Sequence, residues 1–135
     1  MRLAGLAVLA AFVAAIVVWR LTRPTPEGDG TAMADVVVPD LSAQATLGKT
    51  LFDASCADCH GANAAGQDGV APPLVHIIYE PSHHSDASFH LAVQNGVRAH
   101  HWSFGDMPPV EGVGEADVTA IIAHIRELQR ANGIK

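Results

Sequence analysis

Positive charge is scarce in this chain. Lys and Arg together number 8 against 14 Asp and Glu, for a net charge of −6. No basic run occurs anywhere, which excludes nucleic-acid binding, because phosphate contacts need clustered cations. Length is also short. At 135 residues the chain has room for one small globular domain, not for a two-domain enzyme with a large substrate cleft. Only 5% of the residues are aromatic. There is no internal repeat and no convincing alternation of apolar and polar residues of the kind that marks strands. Two cysteines leave none for a structural disulfide elsewhere.

Those two cysteines are Cys56 and Cys59, and His60 follows directly. A Cys-x-x-Cys pair serves as a redox dithiol, as half of a zinc site or as a haem attachment. The redox reading needs a flanking strand–helix pattern, and Gly61 stands where the helix should run. A zinc site of this kind needs two more ligands, and there is no second cysteine pair. The adjacent histidine favours haem. Two thiols add to the two vinyl groups, and the next residue's imidazole reaches the iron from the same side. Eight histidines in all is a high number for such a chain.

The apolar excess is concentrated near the N-terminus. Leu3 to Trp19 contains no polar or charged residue, with Arg2 before it and Arg20 and Arg23 after it. As a helix it would measure about 25 Å, enough for a thin hydrocarbon core. The run ends in bulky residues, and the nearest small-x-small site, Ala32-Met33-Ala34, lies well beyond it. Residues 1–21 are therefore expected to be an uncleaved membrane anchor, with a cleaved secretory signal as the alternative. The flanking arginines do not decide orientation. Covalent haem attachment is completed outside the bacterial cytoplasm. The expected location is the bacterial cytoplasmic membrane, single-pass, with the haem domain facing the periplasm; after cleavage it would be soluble and periplasmic.

Residues 22–39 carry Pro24, Pro26, Gly28, Gly30 and Pro39 and read as a flexible tether. Residues 40–135 form the folded unit, which is small enough to be short of core. A covalently held haem would fill that deficit. Ser42 caps a predicted helix over 43–54, with Leu47, Leu51 and Phe52 as its apolar stripe. Ser85 or Asp86 starts a second helix that Asn95-Gly96 stops. A last helix spans 115–131, with acids at its start, Arg126 and Arg130 near its end, and Ile121, Ile122, Ile125 and Leu128 on one face. Residues 98–113 read as loop. The fold class is all-α.

Four features then fall in a specific order: Leu47-Gly48 with Phe52; Cys56-Ala57-Asp58-Cys59-His60-Gly61; Ala71-Pro72-Pro73-Leu74; and Met107-Pro108-Pro109 before a closing amphipathic helix. In these the chain from about Asp40 to Ile134 resembles a class I cytochrome c. The resemblance implies three to five helices around one covalent haem c. It implies thioethers from Cys56 and Cys59, His60 as proximal iron ligand and Met107 as distal ligand. The Pro72 carbonyl would accept the Nδ1 proton of His60. Gly48 would let the first and last helices touch, with Phe52 and Leu128 nearby. The family usually has an aromatic residue where His124 stands on the last helix.

Of the three methionines, Met1 and Met33 precede the haem domain, and two prolines stiffen the loop after Met107. Met/His ligation raises a haem's reduction potential and leaves no open site. The expected function is one-electron transfer to or from a membrane or periplasmic oxidoreductase, with no catalysis of the chain's own. Alternatives are a haem subunit of a larger oxidoreductase complex, a haem sensor with a weak distal ligand, and a copper-binding cytochrome.

The remaining histidines have ordinary roles open to them. His83-His84 can be solvated loop residues. His100-His101-Trp102 can shape the haem pocket, with Trp102, Tyr79 or Arg98 donating to a propionate. Two sharper readings stand beside these. His100 or His101 would replace Met107 on iron. Alternatively, His83, His84, His90, His100 and His101 would bind Cu²⁺ or Zn²⁺, since imidazole suits both ions. From Asp35 onward twelve acids face five bases, for −7, so the expected redox partner carries a basic docking patch.

Overall fold

The computed structural model describes residues 12–16, 18 and 29–135. Residues 12–16 and 18 are helical and exposed. The rest of the expected anchor lies outside the described residues. Among the described residues, no helix is long and apolar enough to cross a membrane.

The domain consists of helix α1 (Ala43–Ser55), a short helix α2 (Ala57–His60), 3₁₀ turns at Ala62–Ala64 and Ile77–Tyr79, helix α3 (Asp86–Asn95) and helix α4 (Glu115–Ala131). The described residues form no strand, only isolated bridges between Gln67 and Ala71 and between Val97 and Met107. Ser42 caps α1 as expected: its Oγ accepts from the Ala45 amide at 3.2 Å. At the start of α4 the Gly114 amide donates to the Asp117 carboxylate at 3.0 Å. The carboxylate there also suits the helix dipole.

Helices α1 and α4 cross at Gly48. A Cβ on Gly48 would overlap the Ala120 carbonyl oxygen and lie 3.1 Å from His124 Cβ. This close approach decides which side of α1 is buried. Ala45, Gly48 and Phe52 face inward. Leu47, expected in the apolar stripe, is 56% exposed instead. The contact runs along the row of the smallest residue, because backbone approaches backbone there. Phe52, Ile121, Ile125 and Leu128 join Ala64, Leu74, Val75 and Ile134 in one apolar cluster.

Three polar side chains of α4 are buried, His124, Arg126 and Gln129, and the last two form one network. Arg126 completes the helix dipole pattern in the sequence, yet here it acts as a hub. Its guanidinium donates to Asp86 Oδ1 (2.8 Å), Tyr79 O (2.7 Å), Gln129 Oε1 (2.6 Å) and His84 O (2.5 Å), and lies over the Phe89 ring. Gln129 Nε2 donates to Leu74 O and Tyr79 O. Residues 74–84 are thereby fixed to α4 although they contain only one turn of 3₁₀ helix. Asp86 spends its carboxylate on Arg126, and the side chain of Ser85, at the N-cap position of α3, makes no capping bond.

From residue 30 the segment expected as a tether hydrogen-bonds to the domain. Gly30 N donates to Asp68 O, Met33 N and Ala34 N to Ala65 O, and Asp68 N to Thr31 O. The Asn132 side chain grips Val37 through both its amide and its carbonyl.

Candidate functional site

The Cys56–His60 segment lies where α1 ends and α2 begins. The α1 hydrogen bonding closes on Cys56 (Cys56 N to Phe52 O, 2.8 Å), and His60 N donates to Cys56 O at 2.9 Å. One helical turn therefore separates the two thiols and places His60 directly after the second. Cys56 is half-buried and Cys59 exposed, and both are free thiols. Burial, with the neighbouring Cys59 second, pushes the Cys56 thiol up to about 11.

His60 is oriented by Pro72. Its Nδ1 lies 2.9 Å from the Pro72 carbonyl oxygen, which can only accept, so Nδ1 carries the proton and Nε2 keeps its lone pair. Burial holds the ring below the ordinary imidazole range, against a smaller upward pull from that hydrogen bond. Burial thus keeps the imidazole neutral, and the Pro72 carbonyl sets its tautomer and orientation for ligation.

The loop that brings Pro72 to His60 has its own supports. Gly66 N donates to His60 O at 2.7 Å, and Gln67 Nε2 donates to Asp58 O at 2.8 Å and Ala57 O at 3.3 Å. Asn63 and Ala64 adopt positive φ (55° and 58°), which is uncommon outside glycine. Ala64 O then receives both Leu74 N and Val75 N. Gln67 has no sequence signature, because its role is to cap backbone carbonyls of the Cys-x-x-Cys turn from nine and ten residues away.

Met107 is pinned by its backbone. Val97 N donates to Met107 O and Met107 N to Val97 O, both at 2.9 Å. Gly96 permits this pairing: its φ is 74°, and a Cβ there would lie 2.5 Å from Met107 O. The sequence marks Gly96 as a helix stop; it is also the residue that makes room for the methionine segment.

Trp102 packs edge-on against His76 (5.3 Å between centroids) and stacks on Phe104 (5.7 Å). Its Nε1 is buried without a hydrogen-bond partner. Burial raises the Tyr79 phenol, against a smaller lowering by the Trp102 indole N–H, which is near the phenol but does not reach hydrogen-bond geometry. A buried indole N–H normally finds an acceptor, and a haem propionate is an acceptor of the right kind. Together with two free thiols and the His60 imidazole locked by a carbonyl, the residues present fit a covalent haem.

The extra histidines divide. His83, His84, His100 and His101 are brought together by two loops, whereas His90 lines a separate groove with Ser42, Asp86 and Arg126. The expected five-histidine group is therefore a group of four. Desolvation first, then the crowding of the neighbouring imidazoles His100, His84 and His83, holds His101 below the ordinary value. His124 is fully buried between α1 and α4, 5.8 Å from the Phe52 ring, and neither ring nitrogen has a partner.

Comparison with known proteins agrees with this geometry. The family model for cytochrome c matches residues 45–129. The chain is 39% identical over 71 residues to a cytochrome bc1 complex cytochrome c subunit of Mycobacterium leprae, covering 53% of this chain and 22% of that protein. It is 51% identical over 39 residues to cytochrome c-554(547) of Halothiobacillus neapolitanus, covering 29% of this chain and 42% of that one. The chain thus spans less than half the length of either relative. No solved structure matches it. With Cys56 and Cys59 in the spacing for covalent haem c and the family match covering most of the domain, the chain belongs to the cytochrome c family.

Proposed function

We propose that this chain is a one-electron carrier whose haem c is bound through Cys56 and Cys59 and ligated by His60 and Met107. The observation that carries the reading is the His60 Nδ1 to Pro72 O contact at 2.9 Å. It fixes the tautomer and ring orientation that an iron-binding imidazole would need. When bound, haem c supplies an iron that cycles between ferrous and ferric. His60 offers Nε2 from a ring that cannot rotate freely. Met107 offers a soft neutral thioether, which favours the ferrous state and raises the potential. The Val97 pairing and the two following prolines hold that side chain's backbone in place. Trp102 would offer its buried N–H to a propionate. The Leu3–Trp19 run would tether the domain to the cytoplasmic membrane on its periplasmic side.

An optical spectrum of the haem-loaded protein tests the ligand set. Oxidised wild type should show the weak red band of methionine sulfur on ferric iron, and Met107→Ala should lose it. A wild-type spectrum without that band, or carbon monoxide binding to the native ferrous protein, would overturn Met107 ligation.

A second reading is that the chain works as the haem subunit of a larger oxidoreductase. The similarity to a cytochrome bc1 complex cytochrome c subunit favours it. Stable co-purification of the full chain with a membrane complex supports this reading; recovery of the chain alone supports the free carrier.

A further inference from the structure

Four imidazoles meet where the loop after Tyr79 faces the loop after Val97. One ring nitrogen from each of His83, His84 and His101 lies within 4.8 Å of the others. His83 Nε2 and His101 Nε2 are 3.4 Å apart. Zinc binds imidazole nitrogen at about 2.0–2.1 Å in a tetrahedral arrangement, which sets adjacent ligand atoms about 3.3 Å apart. The His83–His101 separation is therefore already that of a tetrahedral edge. A square-planar Cu²⁺ site would need neighbouring nitrogens closer, at about 2.8 Å.

Ring orientation also suits a metal. His84 Nδ1 lies 2.6 Å from Ile78 O, and His100 Nδ1 lies 2.8 Å from Arg98 O. A carbonyl can only accept, so both rings carry their proton on Nδ1 and keep the Nε2 lone pair. A carbonyl holding the far nitrogen is the usual outer support of a metal-binding histidine. The backbone beneath is held as well. The buried Arg126 binds His84 O, His84 N donates to Glu80 O at 2.8 Å, and Ala99 N donates to Asp106 Oδ1 at 2.8 Å. Crowded imidazoles that bound nothing would gain little from this convergence and would repel one another when protonated.

We infer that His83, His84 and His101 form a three-imidazole site for tetrahedral Zn²⁺, with water or a rotated His100 in the fourth position. The ion would clasp the loop that follows Tyr79 to the loop that carries Trp102. None of the haem-ligating residues takes part, so the site stands or falls independently of the haem ligand set.

The test uses the full-length holoprotein, stripped with a chelator and titrated with Zn²⁺ by calorimetry. The expected result is one ion per chain with micromolar or tighter affinity. His83→Ala and His101→Ala should each weaken it by at least roughly tenfold. His90→Ala should leave it unchanged, and an unaltered haem spectrum in each variant shows that the domain has folded. Zinc-edge X-ray absorption should report a four-coordinate shell containing three imidazoles. Absence of stoichiometric uptake would overturn the site, as would uptake that survives the His83→Ala/His101→Ala double variant. Tight Cu²⁺ uptake with a tetragonal spectrum and no Zn²⁺ uptake would overturn the tetrahedral assignment.

Discussion

His124 shows what a single residue can cost. It occupies a fully buried position on α4, yet neither ring nitrogen has a partner. A buried polar group without a hydrogen bond costs about 1–3 kcal/mol. His124→Phe should therefore stabilise the domain by about 1 kcal/mol, less than the full penalty because the larger ring must be fitted beside Phe52. The same residue sets a pH dependence. Desolvation first, then Lys49, holds His124 below its ordinary value, while Asp53 and Glu127 oppose this. As pH falls through the ordinary imidazole value of about 6.5, the unfolded chain takes up a proton that the folded chain refuses. This contribution is complete above that pH and is lost as pH falls below it. Glu127 acts in a separate, more acid window: its hydrogen bonds from Ser42 lower its carboxyl, so that contribution fades only as the carboxylate protonates. Urea unfolding of wild type and His124→Phe at pH 7.5 and 5.5 isolates the imidazole. The variant's advantage should grow at the lower pH; an equal advantage at both would show that His124 protonates alike folded and unfolded.

Two glycines decide how the elements approach one another, and they should fail differently. At Gly48 an added Cβ meets the backbone of α4, which cannot yield without separating the helices. Gly48→Ala should cost about 1–3 kcal/mol of stability, the usual range for an overpacked contact. At Gly96 an added Cβ meets the Met107 carbonyl, and the backbone there has positive φ. If Met107 ligates the iron as proposed, Gly96→Ala should weaken the red sulfur–iron band and lower the reduction potential, changes that Gly48→Ala should not produce. If both variants lose only global stability, Gly96 has no special hold on Met107. The helices themselves were legible. Ser42 at the N-cap, Asn95-Gly96 at the end of α3 and the acid-first pattern of α4 are local signals, and α1, α3 and α4 begin and end at or within a residue of where they point. The Cys-x-x-Cys-His run was legible from its own spacing, whereas Pro72 and the Gly48 crossing were legible through resemblance. Arg126 and Gln129 were not. Their partners lie 40 to 55 residues away in the chain, apart from the bond they share, and a polar residue on a helix gives no periodic sign that it will be buried. The strap over residues 30–37 was hidden for a related reason: its hydrogen bonds come from backbone and from Asn132, so composition alone reads it as linker.

At the scale of the whole molecule, charge is the property that no single element controls. From Asp35 to the end, twelve acids oppose five bases. Two of those bases are already committed, Lys49 to Asp53 and Arg126 to Asp86. The rest of the surface therefore presents mainly carboxylates to an approaching protein. Complementary charge speeds encounter more than it strengthens the final complex. Its reach is about a Debye length, roughly 10 Å at 0.1 M salt. If the proposed carrier docks on a basic patch, its bimolecular electron-transfer rate should be highest at low salt and fall steadily as ionic strength rises. The rate-limiting step distinguishes this from a general salt effect: intramolecular transfer within a preformed complex should stay constant while the association rate falls. An association rate unchanged over the same range would mean that the acidic surface serves solubility and that docking depends on uncharged contacts.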